Sequence, residues 1–282
     1  MGDTEREVLK TLRAAQEERP ELASVLAFYA DLYEVLYRAK TRLPAPRLGD
    51  AAAQRARLEA GQPQLTFDRL GLEEAAFDSL VREVSAVLVG HNPSWAAEGE
   101  VWMPKRRLAQ AREVFERWET LTAPSGVSGD AADAGSALST GWEAQAVAFA
   151  LAAYLQRAAD AGLPELDLER WFWAYCPVCG GQPNLALLDQ ERGGRRLICA
   201  RCDGSWTYVR VGCPFCQSKE AQTYFPGGEG LYRLYVCPSC KRYLKTVDLR
   251  AARRPVYPVV ERLLMVGMDL AAQQAGYGAQ AV

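Results

Sequence analysis

The chain has a single histidine, His91, among 282 residues. That scarcity excludes zinc fingers of the two-cysteine, two-histidine kind, and it leaves any Ser–His or Cys–His pair only one possible base. Beside Asn92 and Pro93, His91 reads as a turn residue rather than a ligand or a base. No Gly-x-Gly-x-x-Gly follows a strand, no Gly-Lys-Ser/Thr closes a phosphate loop, and no Gly-x-Ser-x-Gly elbow is present. Carboxylates are plentiful, but no pair stands out from solvated helix faces. These absences argue against an enzyme. Long apolar runs are missing too, since the most apolar stretch, 144–155, is only about 12 residues and too short to span a bilayer. The opening Met-Gly-Asp-Thr-Glu-Arg-Glu has no apolar run after a basic start, so no export signal is read there. The expected compartment is a reducing cytoplasm, with no membrane insertion.

What the chain does have is concentrated. All eight cysteines fall between residues 176 and 240, as four Cys-x-x-Cys pairs: Cys176/Cys179, Cys199/Cys202, Cys213/Cys216 and Cys237/Cys240. The gaps between pairs are 19, 10 and 20 residues. Two long gaps around a short one suggest two four-cysteine units in tandem. The segment also repeats itself: Cys176-Pro-Val-Cys179 returns 37 residues on as Cys213-Pro-Phe-Cys216, and Leu197-Ile198-Cys199 returns 38 residues on as Tyr235-Val236-Cys237. A repeat at that period is one small supersecondary unit used twice.

Two cysteines three apart can turn both sulfurs toward one point, and two such turns complete a tetrahedral four-sulfur site. Each unit therefore reads as a zinc ribbon or rubredoxin-like knuckle pair, giving two metal ions per chain, zinc or iron. The long gap in each unit suits a β-hairpin, with its turn at 189–194 in the first and 226–230 in the second. The interleaved arrangement, in which Cys176/Cys179 shares an ion with Cys237/Cys240, stays open at this point. Disulfides would belong to an oxidising compartment, and thioredoxin-like pairs need a βαβ setting that nothing here provides.

Residues 1–170 are expected to be helical nearly throughout. Helices are read over 21–43, 71–89, 106–121 and 141–159 from apolar residues three and four apart, with a loop or crossover at 123–140. Trp171-Phe-Trp-Ala-Tyr175 is read as a strand or wedge leading into the first ribbon. A last helix over 255–277 is expected to pack back on the helical part. The fold class is thus α+β: an N-terminal helical bundle (1–170), two tandem rubredoxin-like or zinc-ribbon units (171–210 and 211–254), and a C-terminal helix (255–282).

Charge narrows the partners. The formal net charge is −2, but residues 171–254 hold 13 Lys/Arg against 6 Asp/Glu, leaving the remainder acidic. Four thiolates on a divalent ion carry a net negative charge, so filled sites offset much of that basic excess. A strong nucleic-acid footprint is not expected; the balance is compatible with a moderately acidic protein partner.

These residues resemble the formate dehydrogenase accessory proteins, the FdhE family. The resemblance rests on Cys176-Pro-Val-Cys179-Gly180, on Leu197-Ile-Cys199-Ala-Arg-Cys202, and on Trp206, Arg210, Cys213 and Cys216. It continues through Tyr224, Arg233, Cys237, Cys240, the run Tyr243-Leu-Lys-Thr, and the tail Met268-Asp-Leu-Ala-Ala with Tyr277. It covers about 171–277, with Val266-Gly267 departing from a good helix former in the last helix. The resemblance implies a cytoplasmic, non-enzymatic maturation factor that binds the catalytic subunit of formate dehydrogenase. Trp206, Arg210, Arg233 and Lys245 are the expected contact residues. A nucleic-acid-binding zinc-ribbon protein and a rubredoxin-like electron carrier are the alternatives.

Overall fold

The computed structural model describes residues 1–44, 46–96, 107–117, 142–219 and 223–278. Its helices are α1 (Asp3–Glu18), α2 (Ala23–Lys40), α3 (Ala51–Glu59), α4 (Glu74–His91), α5 (Arg107–Glu116), α6 (Trp142–Gly162), α7 (Pro258–Leu264) and α8 (Val266–Gln274). One compact unit comprises Met1–Arg47 and Phe67–Arg157, the other Leu48–Thr66 and Ala158–Val282.

In the first unit, apolar spacing decides what packs. Val8, Leu9, Leu12 and Ala15 form the buried stripe of α1, which lies on α2. Pro20 starts a single 3₁₀ turn before α2, where its missing N–H costs nothing. The two helices are also joined by Lys40 and Glu5, whose side chains meet at 2.6 Å in a largely buried pair. Burial alone would raise the Glu5 carboxyl, but Lys40 and the Gly2 backbone N–H hold it below its usual range. Helix α2 packs in turn on α4, and α4 on α5. His91 ends α4 with Nε2 2.8 Å from the Asp31 carboxylate, a turn-end role consistent with its sequence position. Helix α6 is apolar on nearly all sides, and among its residues Ala146, Val147, Ala150, Leu151 and Leu155 are buried. The crossover expected at 123–140, and the end of the helix expected over 106–121, lie outside the described residues.

The second unit is built on one six-stranded sheet: β1 (Pro183–Leu188), β2 (Arg195–Cys199), β3 (Ser205–Tyr208), β4 (Thr223–Gly227), β5 (Tyr232–Val236) and β6 (Tyr243–Asp248). The spatial order is β3-β2-β1-β6-β5-β4. Each ribbon supplies three antiparallel strands, and the halves fuse where β1 runs parallel to β6, Leu185 opposite Lys245 and Leu188 opposite Asp248. Both hairpin turns fall where Gly-rich stretches place them. At the first, Asp189 accepts the backbone N–H groups of Glu191, Arg192 and Gly193, an Asx-type turn that holds its carboxyl low, with Arg192 the chief donor.

Fusion creates a broad apolar sheet face that neither ribbon would have alone. Leu185, Ile198 and Val247 bury there against Met265, and Leu234, Val236 and Tyr243 against Ala272. The C-terminal segment packs on this apolar face. It is also two helices, broken at Met265 (φ −94°, ψ 12°) just before the Val266-Gly267 pair. The segment 48–66, including α3, groups with the ribbons, within the span that the sequence reading assigns to the helical domain.

Candidate metal centres

All four Cys-x-x-Cys turns share one backbone. The residue just after the second cysteine takes left-handed dihedrals: Gly180 (φ 75°), Asp203 (φ 55°), Gln217 (φ 60°) and Lys241 (φ 56°). At three of them that residue donates its N–H to the carbonyl of the first cysteine: Gly180 to Cys176 at 2.9 Å, Gln217 to Cys213 at 2.9 Å and Lys241 to Cys237 at 3.0 Å. In all four, the first cysteine donates its own N–H five residues ahead: to Gly181 and Ser218 from the leading pairs, and to Gly204 and Arg242 from the trailing ones. The chain thus reverses tightly enough to aim both sulfurs one way. Only Gly180 adopts this conformation without a Cβ; elsewhere each left-handed residue costs roughly 1–2 kcal/mol.

The eight sulfurs gather into two groups, Cys176/Cys179/Cys199/Cys202 and Cys213/Cys216/Cys237/Cys240, with the sulfurs of each group within 4.8 Å of one another. This is the tandem pairing, and it disposes of the interleaved one. In the first group Cys176 and Cys202 are 3.6 Å apart and Cys179 and Cys199 are 3.4 Å apart. In the second, the Cys213–Cys240 and Cys216–Cys237 separations are 3.6 and 3.7 Å. A tetrahedron of sulfurs about 2.3 Å from a central ion has edges of about 3.8 Å, whereas a disulfide needs about 2.05 Å. The cysteines are unbridged, and the donor set suits a thiophilic ion. Each cluster could hold one, two per chain.

The thiol electrostatics point the same way. Burial, then hydrogen bonding among the sulfurs, pushes Cys176 well up, while thiol hydrogen bonds from Cys176, Cys199 and Cys202 hold Cys179 well down, helped by Arg201. Burial pushes Cys213 up to about 12. Burial works against Cys237 as well, but the backbone N–H groups of Cys240 and Ser239, with the Cys216 and Cys213 thiols, bring it to about 7. One thiolate in each group is therefore favoured already, and an ion supplies the charge that displaces the remaining protons.

The surroundings of the two groups differ. The first is enclosed by chain from outside its knuckles. Gln64 and Leu65 donate their N–H groups to the carbonyls of Pro177 and Val178, each at 2.9 Å, laying 63–65 along the first knuckle like an added strand. Tyr175 anchors the same segment through its hydroxyl, 2.6 Å from the Gly61 carbonyl. The Arg201 guanidinium bonds the Cys179 carbonyl. Beyond the second knuckle, Gly204 lies so close to Leu163 that a Cβ there would sit 2.9 Å from its side chain. Nothing in the cysteine spacing announces this cover. The Gly61 to Thr66 stretch and Arg201 were missed in the sequence, where only the Trp171–Tyr175 aromatic run hinted at packing next to the ribbon.

Of the four expected contact residues, two are interior. Trp206 is 2% exposed, and its indole donates to the Trp173 carbonyl at 3.2 Å. Lys245 is 5% exposed, and its ammonium bonds the Asp269 carboxylate at 2.6 Å and the Arg262 carbonyl at 3.0 Å. Neither side chain is presented to a partner; each fills a place that the small ribbon cores leave for a large group. Arg233 is half-buried, pairing with Asp248 and stacking over the Tyr224 ring at 4.8 Å. Arg210 alone is exposed, its guanidinium near the hairpin turn where it bonds the Arg192 carbonyl.

Comparison with known proteins now bears on this geometry. Residues 175–210 match the family model described as FdhE, central domain, a segment that ends before the second cluster begins. A protein FdhE homolog of Aquifex aeolicus is 38% identical over 119 residues, 40% of this chain and 42% of that protein. One from Pseudomonas aeruginosa is 28% identical over 224 residues, 73% of this chain and 69% of that protein. The crystal structure of the FdhE protein from Pseudomonas aeruginosa superposes with a TM-score of 0.65 at 23% identity, covering 97% of this chain and 92% of that one, a likeness of fold. The match thus spans less than half the length of the Aquifex relative and most of the length of the Pseudomonas ones. Family model, curated relatives and solved fold agree with the resemblance carried by the cysteine segment: the chain is similar to the FdhE proteins.

Proposed function

We propose that this chain is a non-catalytic maturation factor for formate dehydrogenase, which binds the catalytic subunit of that enzyme in the cytoplasm through a metal-stabilised ribbon module. In this reading the eight cysteines hold two ions, zinc or iron, one in each of the units 171–210 and 211–254. The observation that carries it is the pair of four-sulfur clusters, placed in a chain whose first ribbon matches the FdhE central domain and whose fold follows an FdhE crystal structure. A maturation role suits a chain that sets its sulfurs in closed knuckles and shows no nucleophile–base pair in its sequence.

The charge pattern supports a protein partner over nucleic acid. Much of the ribbon module's positive charge is spent internally: Arg250 and Arg233 on Asp248, Lys245 on Asp269, Arg254 on Glu261 and Arg262 on Asp203. Exposed cations include a basic patch at the first hairpin end, Arg192 and Arg210, besides Arg196, Lys219, Lys241 and Arg253 elsewhere on the module. Such a patch steers an acidic protein surface.

The test is capture. Tagged protein from the native host should retain the formate dehydrogenase catalytic subunit and carry two ions per chain by elemental analysis. Exchanging Arg192 and Arg210 for Glu should leave metal content and helicity intact and weaken capture several-fold. Undiminished capture would move the contact to the helical unit; no capture by the unaltered protein would sink the reading. The purified chain is expected not to oxidise formate with artificial acceptors.

A further inference from the structure

Cys216 is exposed, while its counterpart on the first ribbon, Cys179, is buried along with the three sulfurs it faces. Resting on the reading that both clusters bind metal, we propose that the two sites differ in kind: the first holds its ion permanently, and the second is an exchange site at which an incoming thiol reaches the ion by displacing Cys216.

Access is the first ground. An ion among Cys176, Cys179, Cys199 and Cys202 lies behind 63–65, Arg201 and Leu163, so no incoming ligand reaches it without prior unfolding of that cover. At the second cluster, among the described residues, the extra chain arrives on one side only. Gly278 donates to the Lys241 carbonyl at 2.6 Å, beside Cys237 and Cys240, and the Tyr277 ring lies under the Lys241 ammonium. The opposite knuckle keeps Cys216 open to solvent, and Cys240 is half-buried.

The second ground is the knuckle itself. Cys216 is followed by Gln217, held at φ 60° with a side chain, where the matching residue of the first ribbon is Gly180. Opening that turn releases a conformational cost that the leading knuckle of the first ribbon, with Gly180, does not carry.

The exchange conserves charge and electrons. An incoming thiol gives up its proton and bonds to the ion through sulfur; the bond to Cys216 Sγ breaks, and Cys216 takes the proton. The ion keeps its oxidation state. A site of this kind can pass an ion to, or take one from, a partner that offers a soft sulfur ligand.

The experiment uses the full chain carrying two ions. It is mixed with the chromogenic chelator pyridylazoresorcinol and with glutathione at rising concentration, and ion release is followed by absorbance. One equivalent should leave at least about tenfold faster than the other, a decade being about 1.4 kcal/mol of barrier, with a rate that rises with glutathione. Brief native alkylation with iodoacetamide, mapped by peptide mass spectrometry, should label Cys216 before any other cysteine. C216S should lose the fast equivalent and keep the slow one. Should that variant misfold, the alkylation map of the unaltered chain decides alone. Two ions leaving at one rate, or first labelling at Cys176, Cys179, Cys199 or Cys202, overturn the inference while leaving the metal reading standing. A preparation with less than one ion per chain overturns both.

Discussion

Cys179 and Cys216 stand at matched places in two copies of one motif, each the second sulfur of a leading Cys-Pro-x-Cys turn, yet one is buried and the other faces solvent. The backbone around them is the same, down to the left-handed residue that follows and the N–H to carbonyl bond that closes the turn. What differs is the company. The first ribbon borrows a length of chain from more than a hundred residues upstream to seal its knuckle, as in the Tyr175 bond to Gly61. Both ribbons pack strands on the terminal segment at Met265, and the second adds polar contacts, Lys245 and Tyr243 on Asp269 and Tyr232 on Glu261. A four-sulfur site can thus be sealed by borrowed chain around the ion or braced further through the sheet behind it.

The largest effect should separate the two ribbons outright. Exchanging Cys176 and Cys179 for Ser removes the ion around which the enclosed ribbon is assembled, and structural sites of this type contribute on the order of 10 kcal/mol. That is enough to unfold the sheet, as read by far-UV circular dichroism and solubility. The same exchange at Cys213 and Cys216 should remove one ion but leave the sheet folded on α7 and α8. Equal losses from the two double variants would break the comparison.

Next in size is the clamp on the second ribbon. Lys245→Glu puts a carboxylate beside Asp269 in a buried position and should cost about 3–5 kcal/mol by denaturant titration. Lys245 is charged in a site where burial lowers its pKa and Asp269 opposes that shift, so Lys245→Met should be far milder. In the Lys245→Glu protein, chelation of the second ion should now destabilise the sheet strongly, because its helical support has been weakened. Chelation as harmless as in the parent would show that the clamp is not what spares the second ribbon.

Swapping the knuckle residues gives the smaller effects. Gly180→Gln puts a side chain at φ 75° and a Cβ 3.0 Å from Pro63, so it should cost about 2 kcal/mol and speed release of the first ion. Gln217→Gly should do the reverse, gaining about 0.5–1 kcal/mol in thermal unfolding with both ions bound. A loss of stability from Gln217→Gly would mean that its side chain makes a contact worth more than the dihedral cost.

Much of the ribbon geometry was legible because it is local. Four turns of fixed spacing, a repeat, and two glycine-rich hairpins lie within sixty-odd residues, and each carries its structure in its own sequence. The helices declared themselves by spacing too, as with Leu80, Val84 and Leu88 along α4. What the chain concealed is long-range. Nothing in Gln64 or Leu65 says that their N–H groups will find Pro177 and Val178, and nothing in β1 or β6 says that they will run side by side. Trp206 and Lys245 misled for a related reason. A large aromatic and a cation look like interface anchors in a sequence, but in a small ribbon they supply bulk and a buried ion pair that the core lacks.

The parallel seam between β1 and β6 carries a further consequence. It sets the first strand of one repeat against the last strand of the other, so the copies follow each other by translation and not by a two-fold turn. An isologous pair would saturate both surfaces; this heterologous one leaves a β1-like edge on β4 and a β6-like edge on β3, an arrangement that never closes on itself. Duplication by this geometry could in principle continue, within one chain or from molecule to molecule. Strand β4 ends the series with Pro226, and a proline is tolerated in a ladder only where its nitrogen faces away from the paired strand. Its missing N–H is therefore missing from the open edge, which is what a growing sheet would need.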